Sequence, residues 1–295
     1  MRTLIVKIGA LGDVLRSTIL LRELEGEIYW ITKRNAKDLL QSDKITKIIF
    51  SDDEHELESL KKIYFDTVIS LEEDKKLLEL LKNIQHEKLI GLYLDKDKNF
   101  AYSEDSNEWF DMSLVSKYGK EKADLLKKIN RKSHSQIFIE MIGEKFNGQE
   151  YDLGCAPKQI NGVIGIVSRC GDVWPNKEWS GYDELREKLK NDGYKLQNIP
   201  MRPTLKEHIE DINNCELIVC GDTLGMHIAL ALKKKVVALF NCTPPHEIYD
   251  YGRMVKIVSP LYEKYFFSRE KNEEVIKSIP VNEVYEAVKS MMSAD

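Results

Sequence analysis

The chain of 295 residues is marked first by what it lacks. No apolar run approaches the roughly 20 residues a membrane-spanning helix needs, so none is expected. Its five cysteines, Cys155, Cys170, Cys215, Cys220 and Cys242, are odd in number and form no Cys-x-x-Cys pair. This excludes a zinc-ribbon pattern and a disulfide framework, and reads as free thiols in a reducing compartment. No metal ligand set is predicted. There is no surplus of positive charge: 44 basic residues against 49 acidic ones give −5, which argues against nucleic-acid binding by bulk charge. The first residues enter an apolar strand at once, leaving no room for a signal peptide, so a cytoplasmic protein is expected. Internal repeats, low-complexity segments and a Gly-x-Gly-x-x-Gly dinucleotide fingerprint are also absent.

What is present, at 42% hydrophobic and 32% charged residues, is an alternation of short apolar runs with helical patterns. "TLIVKI", "EIYWIT", "KIIF", "DTVISL" and "KLIGLYL" read as strands, while Val14 to Leu24 and "EEDKKLLELLKNI" carry apolar residues at helical spacing. From Asp95 to Gly148 the rhythm breaks into a polar and aromatic stretch, expected to lie over one end of the sheet as loops and helices. "GQEYDLGCAPKQING" is the linker candidate. The alternation then restarts with "GVIGIVSR", "YKLQNIP", "ELIVCG", "KVVALFN" and "MVKIVSP" as strands and "SGYDELREKLKNDG", "LKEHIEDINNC", "DTLGMHIALALK" and "VNEVYEAVKSMM" as helices. The expectation is an α/β protein of two Rossmann-like domains with parallel sheets facing a central cleft. Residues 1–152 form the first, 160–280 the second, and 281–295 a closing helix.

Three turns carry the chemistry. "KIGALGDVLRST" has the outline of a phosphate-binding strand–turn–helix, yet Asp13 stands where a phosphate would rest. Its carboxylate either accepts a proton from a substrate hydroxyl or caps the helix. In "GDTLGMH", Asp222 and Thr223 open a helix directly from a strand. Its first-turn N–H groups, the Thr223 hydroxyl and His227 can hold a diphosphate, or Asp222 or Thr223 can be plain caps. "SRCGDVWPNKEW" offers Ser168, Arg169 and Lys177 beside a strand end, with Trp174 and Trp179 as packing anchors.

These elements resemble glycosyltransferase family 9, the lipopolysaccharide heptosyltransferases. "KIGALGDVLRST" is similar to the family's N-terminal signature, "WPNKEW" to its Lys-x-Trp element, and "GDTLGMHIALALKKKVVALFNCTPP" to its Asp-Thr-Gly-x-x-His helix and following strand. The resemblance implies a GT-B fold and inverting, metal-free transfer from an ADP-activated heptose to a hydroxyl of a cell-envelope glycan. It implies that Asp13 is the base, exposed by a turn at Gly12. Lys177, Asp222, Thr223, Leu224, Gly225 and His227 would hold the donor diphosphate, with Ser168 and Arg169 in the donor loop. The adenine would lie near Met201, Pro203 and Leu205. No cofactor is implied beyond the nucleotide-sugar substrate. Implied partners are a glycan or glycolipid acceptor and peripheral contact with the inner face of the cytoplasmic membrane. The sequence departs from the family in reading Asp-Thr-Leu-Gly, in ending its strand "FNCT" where Phe-Gly-Pro-Thr is common, and in placing Ser180 after Lys-x-Trp.

Arg131 and Lys132 are candidates for gripping an acceptor anion, against an ordinary solvated helix end. Other readings are a transferase using another nucleotide sugar and acceptor, an epimerase employing His134, His208 and Glu207, and a non-catalytic nucleotide-sugar-binding protein.

Overall fold

A computed structural model describes residues 1–293, and the chain divides between Gly154 and Cys155 into two units. The first contains β1 (Arg2–Val6), α1 (Leu11–Ser17), β2 (Glu27–Thr32), β3 (Ile45–Phe50), α2 (Glu54–Ser59), β4 (Tyr64–Ser70), α3 (Lys75–Leu81), β5 (Gln85–Leu94), β6 (Phe100–Tyr102), α4 (Asn107–Phe110), α5 (Lys120–Ile129) and α6 (His134–Met141). Its sheet runs β3-β2-β1-β4-β5-β6, parallel except for β6. Ile5 of β1 pairs in register with Trp30 on one side and Ile69 on the other, all fully buried. Such apolar central strands need cover on both faces. Leu77, Leu78 and Leu81 of α3 pack on Leu4, Val6, Phe65 and Val68.

The single helix expected over Val14 to Leu24 is instead α1 followed by a 3₁₀ turn at Thr18–Arg22. The Ser17 hydroxyl donates to the Val14 carbonyl at 2.9 Å and that of Thr18 to Leu15 at 2.6 Å. Side-chain donors that compete for main-chain acceptors weaken a regular helix at that point. The stretch from Asp95 to Gly148 supplies β6 and three helices, with α6 beside α1.

The second unit contains β7 (Val163–Val167), α7 (Tyr182–Asn191), β8 (Lys195–Asn198), α8 (Leu205–Asn213), β9 (Leu217–Gly221), α9 (Leu224–Ala231), β10 (Lys235–Phe240), β11 (Met254–Val258), α10 (Glu273–Ile276) and α11 (Val281–Ser293). Its sheet is parallel throughout in the order β11-β10-β9-β7-β8. The expected closing helix, α11, belongs to this unit's core: Val284, Tyr285 and Val288 pack with Leu185 and Leu189 of α7.

The linker candidate is docked at both ends. Arg22 donates to the carbonyls of Glu150 and Tyr151, each at 2.9 Å, and Tyr151 and Leu153 are buried. Further on, the Lys158 N–H donates to Asn213 at 2.9 Å. Both sheets reverse strand order at one central pair, β1/β4 and β7/β9, the points where doubly wound sheets open a crevice at their carboxyl ends.

Trp30 lies wholly inside the first unit, with its indole N–H directed at the Lys7 carbonyl. Trp30→Ala is expected to cost about 3–5 kcal/mol of stability in urea denaturation, as for other large-to-small core replacements.

Candidate active site

In the second unit the reversal between β7 and β9 brings Ser168 and Arg169, just past β7, beside Asp222 and Thr223, just past β9. Lys177, in the turn between β7 and α7, reaches Asp222. Its ammonium donates to an Asp222 carboxylate oxygen and to the Asp222 carbonyl, both at 2.7 Å. The Thr243 hydroxyl donates to the same carboxylate at 2.7 Å, and the His227 ring lies 3.9 Å from its other oxygen. Burial opposes ionisation of Asp222, but Lys177, His227 and these hydrogen bonds outweigh it and hold the carboxyl well below the usual range.

This pair exists because the chain around it is packed unusually close. A Cβ on Gly221 would lie 2.9 Å from the Lys177 carbonyl oxygen, so only glycine lets the Lys177 turn approach β9. That turn is clamped from beneath by Asn241, whose amide donates to the carbonyls of Asn176 at 2.9 Å and Glu178 at 2.7 Å. Buried Asn176 in turn donates to the carbonyls of Ser268 and Glu270 and accepts from the Asn272 N–H. The "FNCT" departure therefore has a local purpose at Asn241, which fixes the loop carrying Lys177, while Thr243, common to both patterns, holds Asp222. Sequence reading missed Gly221, Asn241 and Thr243, although the departure itself was visible.

Neither Asp222 nor Thr223 serves as a side-chain cap. The Asp222 carboxylate is spent on Lys177 and Thr243. Thr223 occupies the N-cap position of α9 without a capping bond, its hydroxyl buried and without a hydrogen-bond partner among the described residues. Leu224 is the first residue of α9. Gly225 is a packing residue: a Cβ there would stand 3.0 Å from a Val167 methyl, so its absence seats α9 against β7.

Two cavities open from Ser168 and Arg169. One of about 570 Å³ extends toward Arg186, Lys190 and Asn198, and one of about 460 Å³ is lined also by Cys170, Glu178, Met201 and Lys271. Among the described residues Arg169 enters no ion pair or hydrogen bond. Met201 is 74% exposed and borders the second cavity. Pro203 lies on the exposed turn before α8, and Leu205 is that helix's first residue.

In the first unit Asp13 sits in the first turn of α1, whose N-cap is Ala10, so Asp13 is not the cap. Gly12 is the second residue of that helix and forms no turn. The Asp13 carboxylate is paired with the Arg16 guanidinium one turn on, and Arg16 also donates to Nδ1 of His134 from α6. Burial works against ionisation of Asp13, but Arg16, Lys7 and His134 prevail and hold its carboxyl at about 2. Arg16 was not among the sequence candidates, although its i,i+3 spacing from Asp13 was readable.

Arg131 and Lys132 do not form a basic grip. Lys132 is neutralised by Glu108 at 2.6 Å and Glu140 at 2.7 Å, and Arg131 donates to the main-chain carbonyls of Lys128 and Asn130. Two of the three acid–base groups kept for an epimerase are engaged elsewhere: Glu207 closes a capping box with Thr204 at the start of α8, and His134 holds Arg16.

The pairing of Asp13 has a consequence for acid stability. An unfolded aspartate titrates near 3.9, above the folded value of about 2. Its contribution is therefore present above about pH 4 and lost as pH falls toward 2. Because the side chain is 31% exposed, the contribution is about 1–2 kcal/mol. The wild type should exceed Asp13→Asn in urea midpoint at pH 7, and the gap should shrink between pH 4 and pH 3.

A family model described as glycosyltransferase family 9 (heptosyltransferase) matches residues 145–277, which take in Ser168, Lys177, Asp222 and His227 but not Asp13. No curated protein matches the chain. Among solved structures, E. coli heptosyltransferase WaaC with ADP-2-deoxy-2-fluoro heptose superposes with a TM-score of 0.65 at 14% identity, covering 98% of this chain and 99% of that one. E. coli ADP-heptose lps heptosyltransferase II gives 0.69 at 15% identity over 99% and 98% of the two chains. A glycosyl transferase family 9 protein from Veillonella parvula gives 0.66 at 15% over 100% and 97%. These likenesses establish the GT-B fold. Residues 145–277 are a glycosyltransferase family 9 domain, and the chain that carries it is a glycosyltransferase.

Proposed function

We propose that the protein transfers a heptose from ADP-heptose, with inversion and without a metal ion, to a hydroxyl of a cell-envelope glycan such as the lipopolysaccharide inner core. The observation that carries the donor half is the cationic switch point of the second unit. There Lys177 is held at the start of α9, Arg169 is unengaged, and the buried Thr223 hydroxyl has no partner among the described residues. A helix N-terminus with a lysine–aspartate pair at its start, and an unengaged arginine just past the neighbouring strand, suits a diphosphate and the charge it gains on leaving. The heptose-bound relative supports the choice of ADP-heptose.

In this reading the acceptor oxygen attacks the anomeric carbon from the face opposite the diphosphate. The new C–O bond forms as the bond to the diphosphate breaks, ADP departs, and the proton of the attacking hydroxyl passes to Asp13. A carboxylate held at about 2 is a weak base for a neutral hydroxyl. It suffices for proton removal late in the reaction, because an alkylated, positively charged oxygen is a far stronger acid than any carboxyl group. Arg16 keeps Asp13 ionised throughout the physiological range.

Calorimetry with ADP, GDP, UDP and ADP-heptose, together with turnover on heptose-deficient lipopolysaccharide, tests the assignment. ADP and ADP-heptose should bind in preference to the other nucleotides, Lys177→Ala should weaken them about tenfold or more, and Asp13→Asn should bind the donor normally while losing turnover. Absence of ADP-ligand binding to the wild type would refute the donor reading; full turnover by Asp13→Asn would refute the base.

Peripheral contact with the membrane is proposed through α5. Leu125 and Ile129, 49% and 59% exposed, share one face of this helix, with Leu114 and Tyr118 exposed just before it. Between residues 113 and 132 the sequence carries seven Lys or Arg against two acidic residues, a pattern suited to an anionic lipid surface. The protein should cosediment with phosphatidylglycerol vesicles at low salt, and Leu125→Asp/Ile129→Asp should not.

A further inference from the structure

The first unit has a switch point too, between β1 and β4, and the chain fills it itself. Glu72 is the second residue past β4, and one of its carboxylate oxygens accepts the main-chain N–H of Ile8 at 3.0 Å and of Gly9 at 2.9 Å. The same oxygen accepts from the buried Lys7 ammonium at 3.3 Å, while the other accepts the N–H of Glu73 at 3.1 Å. Ile8 and Gly9 are the second and third residues past β1, in the turn whose N–H groups hold a phosphate in dinucleotide-binding folds. The resident carboxylate therefore takes the place of a ligand anion.

We infer that Glu72 is a positioning residue for Asp13, an internal anion that fixes the turn from which α1 starts and keeps the Lys7 ammonium engaged away from the Asp13 carboxylate. Three links connect the two acids. The turn held by Glu72 runs directly into Ala10, whose carbonyl accepts the Asp13 N–H at 2.9 Å. Lys7 is near enough to act on both carboxylates, favouring the charged form of each. Glu72 and Lys7 are largely enclosed, so their charges are poorly screened by solvent. Without Glu72 the nearest anions for Lys7 would be Asp13, already held by Arg16, and the Glu73 carboxylate. Asp13 would then be gripped by two cations, and its oxygens less available to an incoming hydroxyl.

This inference rests on the proposed role of Asp13, and the experiment separates the two. Glu72→Gln, Glu72→Ala, Lys7→Met, the Lys7→Met/Glu72→Gln double variant and Asp13→Asn are compared in the full chain, with ADP-heptose as donor and heptose-deficient lipopolysaccharide as acceptor. Glu72→Gln keeps the size of the side chain and one acceptor for the turn, so it tests the charge if Glu72→Ala fails to fold. The expected result is a fall in kcat of about 10–100-fold in Glu72→Gln, unchanged ADP-heptose affinity, and partial recovery of kcat in the double variant. Amide exchange supplies a readout that needs no acceptor: the Ile8 and Gly9 protons should be protected in the wild type and lose that protection in Glu72→Ala. Wild-type kcat in a folded Glu72→Gln would overturn the inference, as would donor affinity falling in parallel with kcat, no recovery in the double variant, or unprotected Ile8 and Gly9 protons in the wild type. If Asp13→Asn retains turnover, the base assignment fails instead, whatever Glu72 does.

Discussion

The pairing of the Lys177 ammonium with the Asp222 carboxylate is the interaction on which the second unit's site depends. A lysine brought out of water beside a sheet costs more than it returns unless a carboxylate and further hydrogen bonds complete the arrangement. Here they do: the Asp222 carbonyl, the Thr243 hydroxyl and the His227 ring surround the pair. Other features follow from the need to bring the two chains together. Gly221 removes the side chain that would block the approach, and Asn241 ties down the turn on either side of Lys177. Gly225 seats α9 against Val167, so that the helix start lies beside the lysine.

The first unit solves the same topological situation with the charges rearranged. Both sheets reverse order at a central strand pair, and in both a lysine–carboxylate pair spans the reversal: Lys7 with Glu72 across β1 and β4, Lys177 with Asp222 across β7 and β9. In the first unit the carboxylate occupies the main-chain N–H groups of the turn. In the second it accepts from side chains alone, and the start of α9 keeps a hydroxyl without a partner among the described residues. The same fold thus presents a self-satisfied turn in one unit and, in the other, a helix start whose hydroxyl has no partner among the described residues.

Much of this was legible in the chain itself. Strand runs such as "ELIVCG" and "KVVALFN" carry their burial in their composition, and β9 and β10 lie where those runs do. Asp53, Asp74, Ser133 and Thr204 all cap helices by local bonds of the kind sequence spacing reveals. Local reading went astray where a side chain competed with the helix, at Ser17 and Thr18. At Lys132 the residue type alone did not reveal that the charge is paired with Glu108 and Glu140. Asp13 shows the boundary between the two. Its place at the start of a helix was readable, but the contact of its partner Arg16 with His134 spans 118 residues of chain.

The sequence by itself determined the alternation of strands and helices, and through it two parallel sheets with their receptive ends at the strand termini. That information is local, carried by apolar period, capping residues and glycine positions. Only the tertiary structure decided which charges meet. Glu72 stands 65 residues from Lys7, Asp222 45 from Lys177, and Thr243 21 beyond Asp222. No periodicity encodes such pairings. They arise because the reversal of strand order places particular strand ends side by side, and because a buried charge is tolerated only where its partner arrives with it.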